Sequence, residues 1–168
     1  MNDATSEFAA SLADLAVTLT RTTAAEFGDA LREAVEPPAV GVPLPFDGVS
    51  LDGTGVDRDP SAPDLAAAVT GVTPASLGIA DYGSVVVESS PDGTEPVSLF
   101  PDRHVAVVAA SDVVPDMPAA VERLGEAFRD GRDNAVVATG PSATADMGEL
   151  VRGAHGPKHV HVVLLEDR

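Results

Sequence analysis

Thr139-Gly-Pro-Ser-Ala-Thr-Ala-Asp-Met-Gly-Glu-Leu-Val-Arg-Gly-Ala-His-Gly-Pro-Lys-His-Val-His161 is the stretch on which the reading of this chain turns. An apolar run, Ala135 to Ala138, leads into it, and a second, Val160 to Leu165, leads out. Between them the residues predict a polar turn, a short helical segment and a His-Gly-Pro turn. Strand, polar loop, helix and strand in that order are the grammar of an α/β ligand site. Ser142 and Thr144 can donate to an anion, and a helix start after them would add backbone N–H groups. Asp146 opposes an anion and can instead cap that helix, with Glu149 three residues on. Ligand binding at Gly140–Asp146 and plain turn chemistry both fit. There is no Gly-Lys-Ser/Thr, so this is not a Walker loop.

Working outward, His155 and Gly156 lie between two turns, where an imidazole can titrate near neutrality or meet a ligand. His159 and His161 share one face of the last strand, with Val160 and Val162 on the other. Two histidines at that spacing can start a metal site but need further ligands. A hydrogen-bonded histidine at a strand start is the simpler account, and no metal or other cofactor is assigned. Upstream, Asp81-Tyr82-Gly83-Ser84 precedes the β-branched run Val85 to Val87, and His104 opens the all-apolar run to Ala110. Asp81 can act as an acid, base or anchor where it is partly buried. No Gly-x-Ser-x-Gly elbow and no Ser-His-Asp order is present, so nucleophilic catalysis has no support.

The N-terminal third reads differently. Phe8, Leu12, Leu15 and Leu19 recur at helical spacing, with Thr5 or Ser6 as the expected cap. Thr23 to Glu26 has the form of a capping box, and Phe27, Leu31 and Val35 continue an apolar stripe until Pro37-Pro38. The expectation is a helical segment over 5–36, as one bent helix or two. A Pro/Gly-rich connection follows over 37–63, with short extended pieces around Val40 to Leu44. Asp64 to Val69 reads as a short helix, Val97 to Phe100 as extended, and Pro118 to Arg129 as an amphipathic helix. In that last helix Val121, Leu124 and Phe128 are expected inward, with Asp116 as cap and Gly131 past the end. Alternating strands and helices in the second half predict an α/β fold, with a mostly parallel sheet covered by helices on both faces.

Composition sets the outer limits. The 168 residues fit a single domain, and 4% aromatics against 44% apolar residues imply a core of Val, Ala and Leu. Net charge is −17, from 27 acidic and 10 basic residues, and Lys158 is the only lysine. The acids are scattered along the chain. That favours salt adaptation over an acidic partner-binding tail, because molar salt cuts the Debye length to about 3 Å and screens self-repulsion. No basic stripe exists to neutralise phosphates, so nucleic acid is not an expected partner. There is no cysteine, which excludes disulfides and cysteine-ligated iron–sulfur clusters in this chain. The first residues lack a basic and an apolar signal region, and no run approaches a membrane span. The expectation is a cytoplasmic protein without membrane insertion.

Three blocks carry a resemblance. Gly71-Val-Thr-Pro-Ala-Ser-Leu-Gly-Ile-Ala-Asp-Tyr-Gly-Ser84, Ser98-Leu-Phe-Pro-Asp-Arg-His-Val-Ala-Val-Val108 and Thr139 to Leu165 resemble segments of the LUD domain family, which includes the LutC-type lactate-utilisation proteins. The resemblance spans Gly71 to Leu165, and its last block is the most specific. It implies a fold like the NagB/RpiA/CoA-transferase class. It implies an accessory role in oxidising lactate to pyruvate beside partner subunits that carry iron–sulfur clusters. It also implies that His104, Ser142, Thr144, Asp146, His155 and His161 are the retained polar positions. The family's Glu-Thr is Asp81-Tyr82 here, an acid one methylene shorter beside a bulky ring. Whether the chain is itself an enzyme stays open. The alternative is a stand-alone enzyme or sensor for a small anionic metabolite, CoA ester, sugar phosphate or nucleotide, motivated by the hydroxyl-rich loop.

Overall fold

The computed structural model describes residues 3–132, 134–146, 149–153 and 155–168, with the side chains of residues 144–150 outside that description. In chain order the elements begin with α1 (Asp3–Asp14), β1 (Thr18–Thr22), α2 (Phe27–Ala34), β2 (Ala39–Gly41), β3 (Val56–Asp57) and α3 (Ala62–Ala67). There follow β4 (Thr70–Pro74), β5 (Leu77–Ile79), β6 (Ser84–Glu88), α4 (Thr94–Leu99) and β7 (Arg103–Ala109). After a 3-10 turn at Ala110–Asp112 come β8 (Val113–Val114), α5 (Met117–Arg129), β9 (Ala135–Thr139), β10 (Ala143–Asp146), β11 (Glu149–Arg152) and β12 (His159–Leu165).

Six strands form an all-parallel sheet in the order β1-β12-β7-β4-β2-β3. Its central strands are buried on both faces, which is why they read as continuous valine runs. Side chains alternate across β7 and β12. Ala106, Val108, Val162 and Leu164 pack with Phe8 and Leu12 of α1. Val105, Val107, Val163 and Leu165 pack with Phe27 and Leu31 of α2. The expected parallel α/β architecture with helices on both faces is therefore present.

A second sheet was not anticipated. β8-β5-β6-β9 are mixed, with β6 antiparallel to both β5 and β9. It packs on the α1 face of the main sheet, where Val85 joins the same cluster as Ala106 and Val108. α5 covers its other side through Ala120 against Ile79 and Val86. β4 links the two sheets: Ala75 still donates to Val107, while Ser76 already donates to Val86.

Several expectations need correction. The 5–36 segment is two helices with a strand between them, because the β-branched Thr18–Thr22 pairs with β12 instead of continuing a helix. The Thr23–Glu26 pair hydrogen-bonds side chain to side chain, and Glu26 caps α2 without a side-chain bond, so no capping box forms. Thr5 is a buried position inside α1, not its cap. The Pro/Gly-rich 37–63 connection also supplies core residues: Val40, Val42, Val49, Leu51 and Val56 are buried. The short helix after it is Ala62–Ala67, not Asp64–Val69, and Ser61 caps it in a capping box with Asp64. Val97–Phe100 belongs to helix α4 and its cap, not to an extended run. In α5, Val121 and Phe128 are 58% and 45% exposed; Leu124 does pack on the core as expected, and Ala120 is the buried residue of the helix. Finally, the segment after Ser142 is the antiparallel hairpin β10–β11, not a helix. The proposed helix cap at Asp146 and the N–H groups of a helix start are accordingly absent.

Candidate functional site

The loop after β9 meets the loop before β12. The Ser142 amide donates to the Pro157 carbonyl (2.8 Å), and Gly153 donates to the Ser142 carbonyl (2.9 Å). Gly156 lies so close that a Cβ there would sit 3.3 Å from the Ser142 Cβ. Both amides of Lys158 and His159 donate to the Asp102 carbonyl, and Lys158 pairs with the Asp102 carboxylate at 2.8 Å. The two ends of the opening stretch are thus drawn together over the amino ends of β7 and β12.

Beneath them is a cavity of about 170 Å³. Gly140, Ser142, His155, Gly156 and His104 all line it, with Ser98 and Leu99 of α4. The rest of the wall is apolar: Val87 and Val136, Ala138, Pro157 and Val160. β6 and β9 supply one side and the parallel sheet the other, so the cavity lies where the two sheets face each other. It is smaller than the roughly 300–1,000 Å³ of pockets for drug-sized ligands. A molecule of a few heavy atoms fits inside; a nucleotide or CoA ester does not.

His104 is the polar floor. It is 2% exposed, and its Nε2 is 2.8 Å from the Thr73 hydroxyl on the neighbouring strand. Burial pushes its imidazole down to about 4, so the ring is neutral at physiological pH. With Nε2 engaged, Nδ1 is the ring atom left for a guest, and the tautomer decides whether it donates or accepts. The Ser142 hydroxyl and the exposed His155 ring complete the polar set near the opening.

Among the other described candidates, His161, Asp81, Gly83 and Ser84 do not line it. His161 has the opposite strand parity to His104 and points to the α2 face. Its Nδ1 lies 2.6 Å from the Thr18 hydroxyl and its Nε2 3.0 Å from that of Thr20. Burial, and secondarily the Arg103 guanidinium, lower its pKa. With both ring nitrogens engaged, it ties β1 to β12 as a structural residue and is not poised to bind metal. No cluster of three His, Asp or Glu side chains suited to a metal exists among the described residues. Asp81 is exposed, so the burial that an acid/base role needs is missing. Gly83 has φ 58°, and a Cβ there would lie 2.8 Å from the Ser11 backbone, so α1 packs directly on it. Ser84 is buried and its hydroxyl meets that of Thr139 at 2.6 Å, which pins β6 to β9 just before Gly140. The side chains of Thr144 and Asp146 lie outside the described residues. Sequence reasoning missed the apolar wall and Ser98, since nothing local marks Val87 or Val136 as a pocket lining.

A profile of the LUD domain matches residues 10–165. The chain belongs to the LUD domain family. It is 30% identical to lactate utilization protein C of Deinococcus radiodurans over 168 residues, covering 95% of this chain and 78% of that protein. It is 37% identical to lactate utilization protein C of Bacillus licheniformis over 102 residues, and 36% identical to that of Bacillus subtilis over 104 residues. In both cases 58% of this chain is covered, but the match spans less than half, 42%, of the Bacillus protein. The crystal structure of a DUF162 family protein from Deinococcus radiodurans superposes with a TM-score of 0.75, covering 98% of this LUD chain and 97% of the other. At 24% identity that likeness establishes the shared fold.

Proposed function

We propose that this LUD protein serves lactate utilisation, as an accessory subunit that holds a short 2-hydroxy or 2-oxo acid beside partner subunits carrying iron–sulfur clusters. The observation that carries this reading is the 170 Å³ cavity between the two sheets. It is sized for a three-carbon acid, and Ser142, His104 and His155 can hold the oxygens of such a guest. The names of the curated relatives support the same substrate class. The lack of cysteine fits a subunit that does not itself carry electrons through a cluster. The all-parallel six-stranded sheet supports a NagB/RpiA/CoA-transferase-like fold. A cytoplasmic location fits a chain in which no described helix is long and apolar enough to cross a membrane.

Deleting the gene in its host is expected to slow growth on lactate and leave growth on glucose intact; undiminished growth on lactate overturns the reading. Purification from the host in molar KCl is expected to recover iron–sulfur subunits with the protein. The net charge of −17 supports a molar-salt habitat. The melting temperature should then rise between 0.1 and 2 M KCl, over which the Debye length falls from about 10 Å to under 3 Å; a falling one removes that inference.

A further inference from the structure

A second cavity of about 540 Å³ lies beyond the carboxyl end of β4, and the last residue of β6, Glu88, borders it too. This is the end at which open α/β sheets place ligands. Pro74, Ala75 and Leu77, with Phe46 of the long connection, make an apolar floor. The rim carries charge of both signs: Arg123 of α5 and Arg132 beyond it, with Asp112 and Glu88. Ser90 and Thr94 add hydroxyls that share a 2.6 Å hydrogen bond. We infer that this cavity is a binding site for a phosphorylated, hydroxyl-bearing metabolite of up to mononucleotide size.

Four observations carry the inference. The volume falls within the range of sites for ligands of that size, unlike the small cavity. The chain has 10 basic residues against 27 acids, so its general field repels anions, yet two of its guanidinium groups border this one cavity. Each is already paired, Arg123 with Asp112 at 2.9 Å and Arg132 with Glu88 at 3.2 Å. The arginine side chains are 48% and 60% exposed and their partners Asp112 and Glu88 33% and 18%, so the guanidinium ends are open to water while the carboxylates sit deeper in the wall. A phosphate offers bidentate, charge-assisted hydrogen bonds to a guanidinium, which can replace those contacts where the ligand also satisfies the carboxylates. The carboxylates then face the body of the ligand, where they accept hydrogen bonds from sugar hydroxyls. A bare anion has no use for Glu88 and Asp112, and a neutral sugar has none for the arginines. A ligand with both functions uses all four.

The probes are AMP against adenosine, glucose 6-phosphate against glucose, and inorganic phosphate alone, titrated by calorimetry into the intact protein at 0.2 M and 2 M KCl. At least one phosphorylated probe is expected to bind at least tenfold more tightly than both its unphosphorylated counterpart and inorganic phosphate, and more weakly at 2 M salt. Arg123→Gln and Arg132→Gln are each expected to weaken it about tenfold. Arg58→Gln removes the same charge from an exposed pair with Asp52 elsewhere and should leave binding unchanged. The inference is overturned if no phosphorylated probe binds below millimolar concentration. It is equally overturned if Arg58→Gln weakens binding as much as the other two, or if inorganic phosphate binds as well as the organic phosphates.

Discussion

The two cavities sit at opposite ends of the parallel sheet and are built on opposite principles. The one at the amino ends of β7 and β12 is small and mostly apolar, and its floor is a neutral histidine. The one beyond the carboxyl end of β4 is about three times larger, rimmed with ion pairs and floored by proline, alanine and leucine. The small site is assembled from contiguous motifs that close on each other through backbone hydrogen bonds. The large one is assembled from single residues on α5, β6, the turn after β7 and the connection after β2. Recognition in the first therefore rests on shape and a few fixed donors, and in the second on charges that exchange partners.

The largest expected effect that sharpens this contrast is electrostatic and belongs to His104. Its folded pKa is about 4 against 6.5 when unperturbed. Between those values the unfolded chain binds more protons than the folded one, so stability rises with pH. His104 therefore costs nothing above pH 6.5, and destabilises the fold progressively as pH falls from 6.5 toward 4. At 1.36 kcal/mol per unit, the loss is about 3 kcal/mol by pH 4. His161, also lowered, adds in the same direction. Denaturant melts from pH 7 to 4 should show a steep loss, and His104→Gln, which cannot titrate, should flatten the profile. A variant as pH-sensitive as the parent would mean that the histidine is not the neutral floor of the cavity. No histidine borders the larger cavity, so its ligands should show no matching dependence on an imidazole.

A second test acts on the element shared by both sites. α4 gives Ser98 and Leu99 to the small cavity and Thr94 to the large one. It can lie close to β4 because residue 71 is glycine: a Cβ there would stand 2.0 Å from the Val97 carbonyl oxygen. Gly71→Ala must push α4 away, and such overpacking costs on the order of 1–3 kcal/mol. For a domain of this length that is a fall of roughly 2–4 °C in Tm per kcal/mol. Ligand binding should weaken at both cavities together. An unchanged Tm, or a loss confined to one cavity, would separate two sites that α4 is said to join.

What the chain discloses in advance follows the same division. The valine runs of β7 and β12 announce a doubly buried parallel sheet because both faces must be apolar, and that was legible. The meeting of Gly140–Ser142 with His155–Gly156 was legible as a candidate site, since turn residues in a distinctive block mark it. The β10–β11 pair was not: Ala143, Ala145, Glu149 and Leu150 favour helix locally, and strand pairing overrides that propensity. β1 is disguised for the converse reason: Leu15 and Leu19 extend a helical period, yet the helix ends before Ala16, which takes φ 57°. The second sheet was hidden because β5 and β8 are only three and two residues long. Without that sheet, neither the apolar wall of Val87 and Val136 nor the exposure of Asp81 could be foreseen.

Filling the small cavity tests whether the two sites are independent. Ala138 lines it, and Ala138→Leu occupies much of its volume. Lactate or pyruvate binding, read by calorimetry, is expected to fall by at least tenfold, while binding of phosphorylated probes at the other end stays within twofold. Loss of both would show that the sheets shift together and that the contrast between the cavities is not a separation of function.

The smallest expected effect concerns α5, the helix that walls the larger cavity. Its helical spacing points Val121 and Phe128 inward, but in the fold the helix presents Ala120 to Ile79 and Val86 and sends Arg123, Leu124 and Ala127 toward the cavity. Val121, 58% exposed, has little packing to lose. Val121→Ser should change stability by less than about 0.5 kcal/mol, as surface substitutions generally do. Ala120→Leu, at a fully buried position, should cost on the order of 1–3 kcal/mol. Parallel urea melts of the two variants measure the orientation of the helix directly. If Val121→Ser proved the more damaging, α5 would be turned about its axis, Arg123 would leave the rim, and the larger cavity would lose one of its two guanidinium groups.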